Sequence, residues 1–290
     1  LGLVGMLLIK AVGLYVSATA DKAALMGQYG SDIAWHMTER ILLETEYMNQ
    51  VREPLLAKIS KQSEKINGIL SQAEQLKTSK EMRKQISQIR EAMADHQKIF
   101  EQSSACVRDL SEAKALLATD FNKSDTLMRE AIESIIEEET ELTIMQGINL
   151  PENKVALRSG LKEIMGFSAA AMLNLNELLL FSDAKQYEKA DQKLREKEKI
   201  CFNNIHGVVL SVNEDKYSRF WKDIVKLRQK IRATQDKVYT HWKERQKLIK
   251  ELDNTNQKLK KSVRAAVTTA KQRIRQIKGQ GAQISTLTLG

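Results

Sequence analysis

From residue 86 to residue 145 one stripe recurs at steps that alternate strictly between three and four. It reads Ile86, Ile89, Met93, His96, Phe100, Ser103, Val107, Leu110, Lys114, Leu117, Phe121, Ser124, Met128, Ala131, Ile135, Glu138, Leu142 and Met145. A strand would repeat every second residue, and a short surface helix would not hold a heptad register for so long. The pattern demands one long helix with a continuous packing seam. A second seam runs from Leu227 through Ile231, Thr234, Val238, Trp242, Arg245, Ile249, Leu252, Asn256, Leu259, Val263, Ala266, Ala270 and Ile274 to Ile277. Two such seams in one chain leave room only for an all-α fold.

The breaks are few, because the 290 residues include only two prolines and 13 glycines. Gly147 and Pro151 in "GINLPENK" make the strongest interruption. Thr78 and Glu81 have capping-box spacing, Asn213 reads as a helix N-cap, and Pro54 interrupts the first helical stretch. Four long legs follow, ending near 77 and spanning 79–147, 152–212 and 214–280. Short connections make neighbouring legs antiparallel. The second leg alone would be roughly 100 Å long at about 1.5 Å per residue, so the expectation is an elongated antiparallel helical bundle.

The chain also repeats. Ile41-Leu42-Leu43 followed by Thr45-Glu46 matches Leu178-Leu179-Leu180 followed by Ser182-Asp183, and "HQKIFEQ" aligns with "QDKVYTH", setting Phe100 over Tyr239. Each half reads as an up–down hairpin with a hitch half-way up its rising leg, where a short side-chain oxygen can cap a restarted helix. Two hairpins together give two stacked four-helix modules from a duplicated unit. A proximal module takes about 20–45, 107–182 and 242–280, and a distal module about 46–106 and 183–241. On that layout Cys106 and Cys201 lie about 24 Å apart along the rod, too far for a disulfide, whose Cα atoms sit within about 7 Å. Both are expected as thiols, Cys201 in a distal core stripe with Tyr187, Leu194, Ile205 and Val208.

Both ends are apolar although the chain carries a net charge of +9. "LGLVGMLLIK" and "GAQISTLTLG" fall at the same end of the rod, with the 147–151 turn beside them and the tips near 78 and 213 far away. The expectation is the end of a first membrane span over 1–19 and the start of a second over 281–290. Each is shorter than the roughly 20 apolar residues of a full span. Ala18-Thr19-Ala20 also has the form of a signal-peptide cleavage site, and both readings stay open. Nucleic acid is not expected as a partner. Lys and Arg alternate with Glu and Asp along most of the helices, as on a solvated helix face, and no nucleic-acid motif is present. No catalytic constellation and no Cys/His cluster occurs, so no enzyme activity, cofactor or metal is expected.

The "ERILLETEYMNQV" and "NELLLFSDAKQYEKA" stretches, with aromatics at Phe100 and Tyr239, resemble the helical bimodular sensor domain of bacterial chemoreceptors and sensor histidine kinases, over about 20–280. The resemblance implies a periplasmic domain of an inner-membrane receptor, acting as a homodimer. It would bind a small molecule, often an organic acid, and pass a helix displacement through the second span. Trimethylamine N-oxide sensor kinases have a similar helical sensor whose partner is a periplasmic binding protein, and that partner is a standing alternative. A non-sensory scaffold, such as a membrane-bending helical rod, is the rival outside this class.

Polar residues in an apolar seam point to sites, because an unpaired buried charge is costly. Arg40, Lys114, Asn176 and Arg245 come to similar depth and form a candidate proximal carboxylate clamp, with Trp35 and His36 flanking the Arg40 face. Arg52, Ser103 and Tyr187 make a second candidate layer at the module junction. The competing reading is structural: Glu44 neutralises Arg245, and seam polar residues set register. His96 reads as a core histidine, level with Ile59, Leu194 and Ile231.

Overall fold

A computed structural model describes residues 2–76 and 79–287; the side chains of 2–9, 12 and 280–287 lie outside that description. Among the described residues the protein is all-α. The elements are α1 (Gly2–Asn49), α2 (Glu53–Gln75), α3 (Lys80–Glu141) continued by a π-helical turn (Leu142–Gln146), α4 (Glu152–Phe181), α5 (Ala184–Val212) and α6 (Asp215–Leu287). Both heptad seams are real packing faces. Every seam position of α3 from Ile86 to Ile135 is buried except Lys114, which is exposed.

The helix ends follow local chemistry. Pro54 stands in the first turn of α2, where its missing N–H costs nothing. Thr78 of the expected capping box lies outside the described residues, and Ser79 does the capping, its Oγ accepting the Met82 N–H at 3.3 Å. Gly147 closes the π turn with φ 66°, which suits glycine. Ser182 and Asn213 also adopt positive φ, 59° and 52°. Asn213 therefore ends α5 as its C-cap rather than starting α6, since Asn tolerates the left-handed region. Asp183 restarts the chain as expected, its carboxylate accepting the Gln186 N–H at 2.9 Å. Thr45 does not: its hydroxyl donates to the Ile41 carbonyl inside α1, and the break comes later, at Gln50–Arg52.

These breaks are reversals, not hitches. Gln62 of α2 meets His36 Nδ1 at 2.9 Å and donates to Glu39 of α1, whereas 26 residues of unbroken helix would separate such groups by about 39 Å. α1 and α2 thus form one antiparallel pair and α4 and α5 another. The chain divides into two compact units, 1–108 with 243–290, and 109–242. That division departs from the expected modules, which assumed straight legs through 50–52 and 182–183.

In the first unit Met26, Ile33 and Met37 of α1 share a core with Ile66 and Leu70 of α2, Met82 and Ile86 of α3, and Val263 and Ala270 of α6. The end of α2 and the start of α3 therefore lie toward the same end of this unit as the start of α1 and the end of α6, opposite to expectation. In the second unit Leu150, Leu157 and Leu161 share a core with Ile205 and Val209 of α5, Ile135 of α3, and Tyr217 and Trp221 of α6. The 147–151 turn and Asn213 fall together at one end of it, again contrary to the straight-leg expectation. α4 is the described helix long and apolar enough to cross a membrane, with a mean hydropathy of 1.5. Its stripe of Leu157, Leu161, Ile164, Ala171, Leu175 and Leu178 is buried in the second unit.

Close approach of α4 and α5 is set at Gly160, where an added Cβ would fall 2.6 Å from Ile205 Cγ1 and 2.9 Å from its Cδ1. Gly160→Ala should lose about 1–3 kcal/mol through overpacking, more than the helix-propensity gain of about 1 kcal/mol. Urea unfolding measures this, and a stabilised variant would refute the close contact. Cys106 and Cys201 are both buried thiols in different units. Burial, with Glu163 adding to it, pushes the Cys201 thiol up to about 12. Iodoacetamide at pH 8 should therefore leave Cys201 unmodified until urea opens the fold; rapid alkylation of the folded protein would contradict the burial.

Candidate functional site

Arg40 lies on the core face of α1 because its position falls in the stripe of Ile33 and Met37, and it is only 1% exposed. Two groups hold it. Its Nε donates to Glu44 Oε1 one turn along at 2.6 Å, and its Nη2 donates to Gln97 Oε1 of α3 at 2.6 Å. Glu44 in turn meets His96 Nε2 through its other oxygen at 2.8 Å, and His96 Nδ1 meets Thr255 Oγ1 of α6 at 3.1 Å. One polar network therefore joins α1, α3 and α6 inside an apolar core.

The network is not closed. Arg40 Nη1 is buried without a hydrogen-bond partner in the protein, and so is Ser104 Oγ. Both residues line a cleft of about 670 Å³ between α2 and α3. Ile59, Met93 and Phe100 give the cleft an apolar lining, while Ser60, Ser63 and Asn67 present neutral polar groups from α2. Arg90 and Arg108 add positive charge, Glu64 and Glu101 negative charge. Arg90 is anchored by Glu74 at 2.5 Å, a hydrogen bond that raises the guanidinium pKa and lowers that of the carboxyl. A buried guanidinium with a spare N–H, beside an apolar wall, suits a small carboxylate.

Of the candidate clamp residues, only Arg40 enters this cleft. Arg245 belongs to the same unit but donates to the Met48 carbonyl at 3.1 Å, satisfying the C-terminal end of α1. Burial lowers its pKa. Lys114 and Asn176 are exposed residues of the other unit. Arg52 is exposed, 3.7 Å from Glu46, Ser103 is buried and donates to the Ile99 carbonyl, and Tyr187 is buried in the second unit against Tyr239. Burial raises the Tyr187 pKa. Trp35 is 64% exposed and does not line the cleft. Glu44 pairs with Arg40 and His96, not Arg245.

Sequence reading missed Gln97, Arg90 and Arg108, because straight legs put α2 at the wrong depth. The second unit holds another polar cluster. Glu198 accepts from Arg228 and Arg232, while Asp191 pairs with Arg232 at 3.0 Å and Arg195 at 2.5 Å. No group of three or more His, Cys, Asp or Glu residues placed to hold a metal occurs among the described residues.

No family model matches the chain, and no curated protein does. Among solved structures it is similar to the TorS sensor domain in its complex with TorT in the presence of TMAO. That likeness covers 85% of this chain and 99% of that one, at 12% identity and a TM-score of 0.50. At this identity the likeness is one of fold: the chain shares the all-helical architecture of that domain.

Proposed function

We propose that residues of about 20–280 form the extracytoplasmic sensor domain of a bacterial transmembrane receptor, a chemoreceptor or a histidine kinase, and that the α2–α3 cleft binds a small organic acid. The carrying observation is the buried Arg40 with one unmatched N–H on that cleft. Each compact unit would serve as one four-helix module, and two copies of the chain would work as a homodimer. α1 is helical from Gly2 and α6 to Leu287; on this reading both continue as membrane spans. A carboxylate drawn to Arg40 would pull on α1, which is tied through Glu44 and His96 to Thr255 of α6. Relative displacement of these two helices would be the signal.

Calorimetric titration of the chain with a panel of small mono- and dicarboxylates tests the reading. At least one should bind saturably, with affinity at least a hundredfold lower in Arg40→Ala. Equal affinity in both proteins would remove the site. The gene sequence after Gly290 separates the outputs: a HAMP-type helix with a kinase or a methyl-accepting module is expected after the second span. A second reading has one specific support, that the similar sensor domain was solved with the protein TorT. There the ligand would be a periplasmic binding protein, and the chain would bind that protein but no free acid.

A further inference from the structure

A second charged cleft, of about 420 Å³, lies between α5 and α6 in the second unit. On α5, Glu198 falls in the buried stripe of Leu194, Cys201 and Ile205; on α6, Arg228 sits between the buried Leu227 and Ile231. Helical periodicity thus carries one acid and one base inward. Arg195, Lys199 and Phe202 follow on the edge of the α5 stripe, and Arg232 one turn beyond Arg228, and all of these line the cleft. Its charged lining is Arg195, Lys199, Arg228 and Arg232 against Glu198 alone. Behind them Asp191 pairs with Arg195 at 2.5 Å and with Arg232 at 3.0 Å, and Asp236 pairs with Arg195 at 2.5 Å. With both aspartates included, the cations still exceed the carboxylates by one. The pairing inside is also incomplete. Glu198 Oε2 accepts from Arg228 Nη2 and from Nε and Nη2 of Arg232. Glu198 Oε1, Arg228 Nε and Arg228 Nη1 are buried without a hydrogen-bond partner in the protein. A guanidinium only 8% exposed with two unmatched N–H groups is a costly way to build a purely structural ion pair.

We propose that this α5–α6 cleft is an oxyanion site that takes a phosphoryl group, as free phosphate or as a phosphomonoester. It is a different site from the Arg40 cleft and does not rest on the carboxylate reading. A phosphoryl group carries close to two negative charges at neutral pH and offers at least three acceptor oxygens. Such a ligand needs cations on more than one side, and here they stand on two helices, with arginine forks that suit phosphate oxygens. The reachable donors are the exposed Lys199 and the partly exposed Arg195 and Arg232. Arg228 lies beneath them and supplies charge rather than contact. Its unmatched groups gain a role when the ligand enters. As Arg232 turns toward the anion, Glu198 loses two of its three donors, and its free oxygen can take an N–H of Arg228. The buried pair becomes better matched as the outer arginine leaves it. Phe202, packed against Trp221 with ring centroids 5.2 Å apart, gives the cleft an apolar wall for the organic part of an ester.

The test titrates the full chain calorimetrically with inorganic phosphate and with phenyl phosphate at pH 7.5, at an ionic strength held constant with sodium chloride. At least one probe should bind saturably. Lys199→Glu changes an exposed side chain, so it should leave thermal unfolding alone and weaken binding at least tenfold. Glu198→Gln removes the competing charge but keeps an acceptor for the arginines, so it should bind the same probe more tightly than wild type. Arg40→Ala should bind it as wild type does, since that variant alters only the cleft of the first unit. Saturable binding of neither probe, equal affinity in wild type and Lys199→Glu, weaker binding in a folded Glu198→Gln, or lost binding in Arg40→Ala overturns the site. Should Glu198→Gln fail to fold, Lys199→Glu and Arg40→Ala decide it. The two probes also separate the sources of the phosphoryl group. Tighter binding of phenyl phosphate identifies a phosphomonoester, and equal or tighter binding of inorganic phosphate identifies the free ion.

Discussion

Glu198→Ala should destabilise the second unit by about 3–5 kcal/mol, the cost of breaking a buried ion pair from one side. Glu198 is 5% and Arg228 8% exposed, so neither has water as a substitute partner. Glu198 accepts from Arg228 and from Arg232, which reaches it through Nη2 and, at 3.1 Å, Nε. The two arginines are not equally dependent on it. Arg232 keeps Asp191 at 3.0 Å and Gln235 at 3.1 Å, whereas Arg228 has Nε and Nη1 already without partners. Burial pushes the Arg228 pKa down to about 10 even with Glu198 opposing that fall. Arg228 would therefore be the stranded charge.

The pH sign follows from that depression. The folded-state pKa of Arg228 lies below its value in the unfolded chain, so above the folded value the unfolded state holds more protons and stability rises with pH. The loss in Glu198→Ala should be largest at neutral pH and shrink as pH rises through the lowered Arg228 pKa. The double variant Glu198→Leu/Arg228→Met should recover much of it, since apolar replacement of a buried pair is often neutral or better. Denaturant unfolding across pH checks all three. A Glu198→Ala loss below about 1 kcal/mol would place the cluster among exposed pairs, which are worth that little.

What the amino-acid pattern conveyed was periodicity. The alternation of three and four through α3 and α6 identified which residues pack, and burial follows it from Ile86 to Ile135 with Lys114 excepted. Periodicity says nothing about direction, however. A helix that continues past residue 50 and one that reverses there have the same stripe on both sides of the break. Only the turn chemistry separates them, and here it was ambiguous. Pro54 suits a kink as well as a first turn, and the Thr45-Glu46 pair suggested a restart five residues too early.

The candidate site inherited that error selectively. Arg40 was recoverable because a charge in a run of Ile33, Met37 and Met48 is conspicuous whatever the topology. Lys114, Asn176 and Arg245 were matched to it by counting along straight legs, and the reversal at 50–52 moves every such level. The same reversal brings Ser60, Ser63 and Asn67 of α2 beside Arg90 and Gln97 of α3. None of these stands out in the sequence, because each is a polar residue on the open side of a helix. His96 was taken as a core residue and is buried, but Leu194 and Ile231, set level with it, belong to the other unit, and its partner Glu44 had been assigned to Arg245. Arg228, next to the seam residue Leu227, lay just off the face being followed.

Glu44→Ala should cost the first unit about 3–5 kcal/mol, again because a buried partner is left charged. Arg40 would retain only Gln97, and the Nε2 side of His96 would lose its acceptor. Glu44→Gln should cost much less, since the amide oxygen still accepts from Arg40 Nε and the amide nitrogen can donate to an unprotonated ring nitrogen. The contrast between the two variants separates lost hydrogen bonds from lost charge. It also links stability to the proposed site. Removing the Glu44 carboxylate leaves a space next to a guanidinium, so a small carboxylate such as acetate can supply the missing acceptor from the cleft side. Binding to the folded state alone raises stability with ligand concentration. Acetate should therefore raise the melting temperature of Glu44→Ala more than that of wild type, with chloride at equal ionic strength as the control for screening. If acetate and chloride act alike on Glu44→Ala, Arg40 is not reachable from the cleft, and the carboxylate site proposed there fails with it.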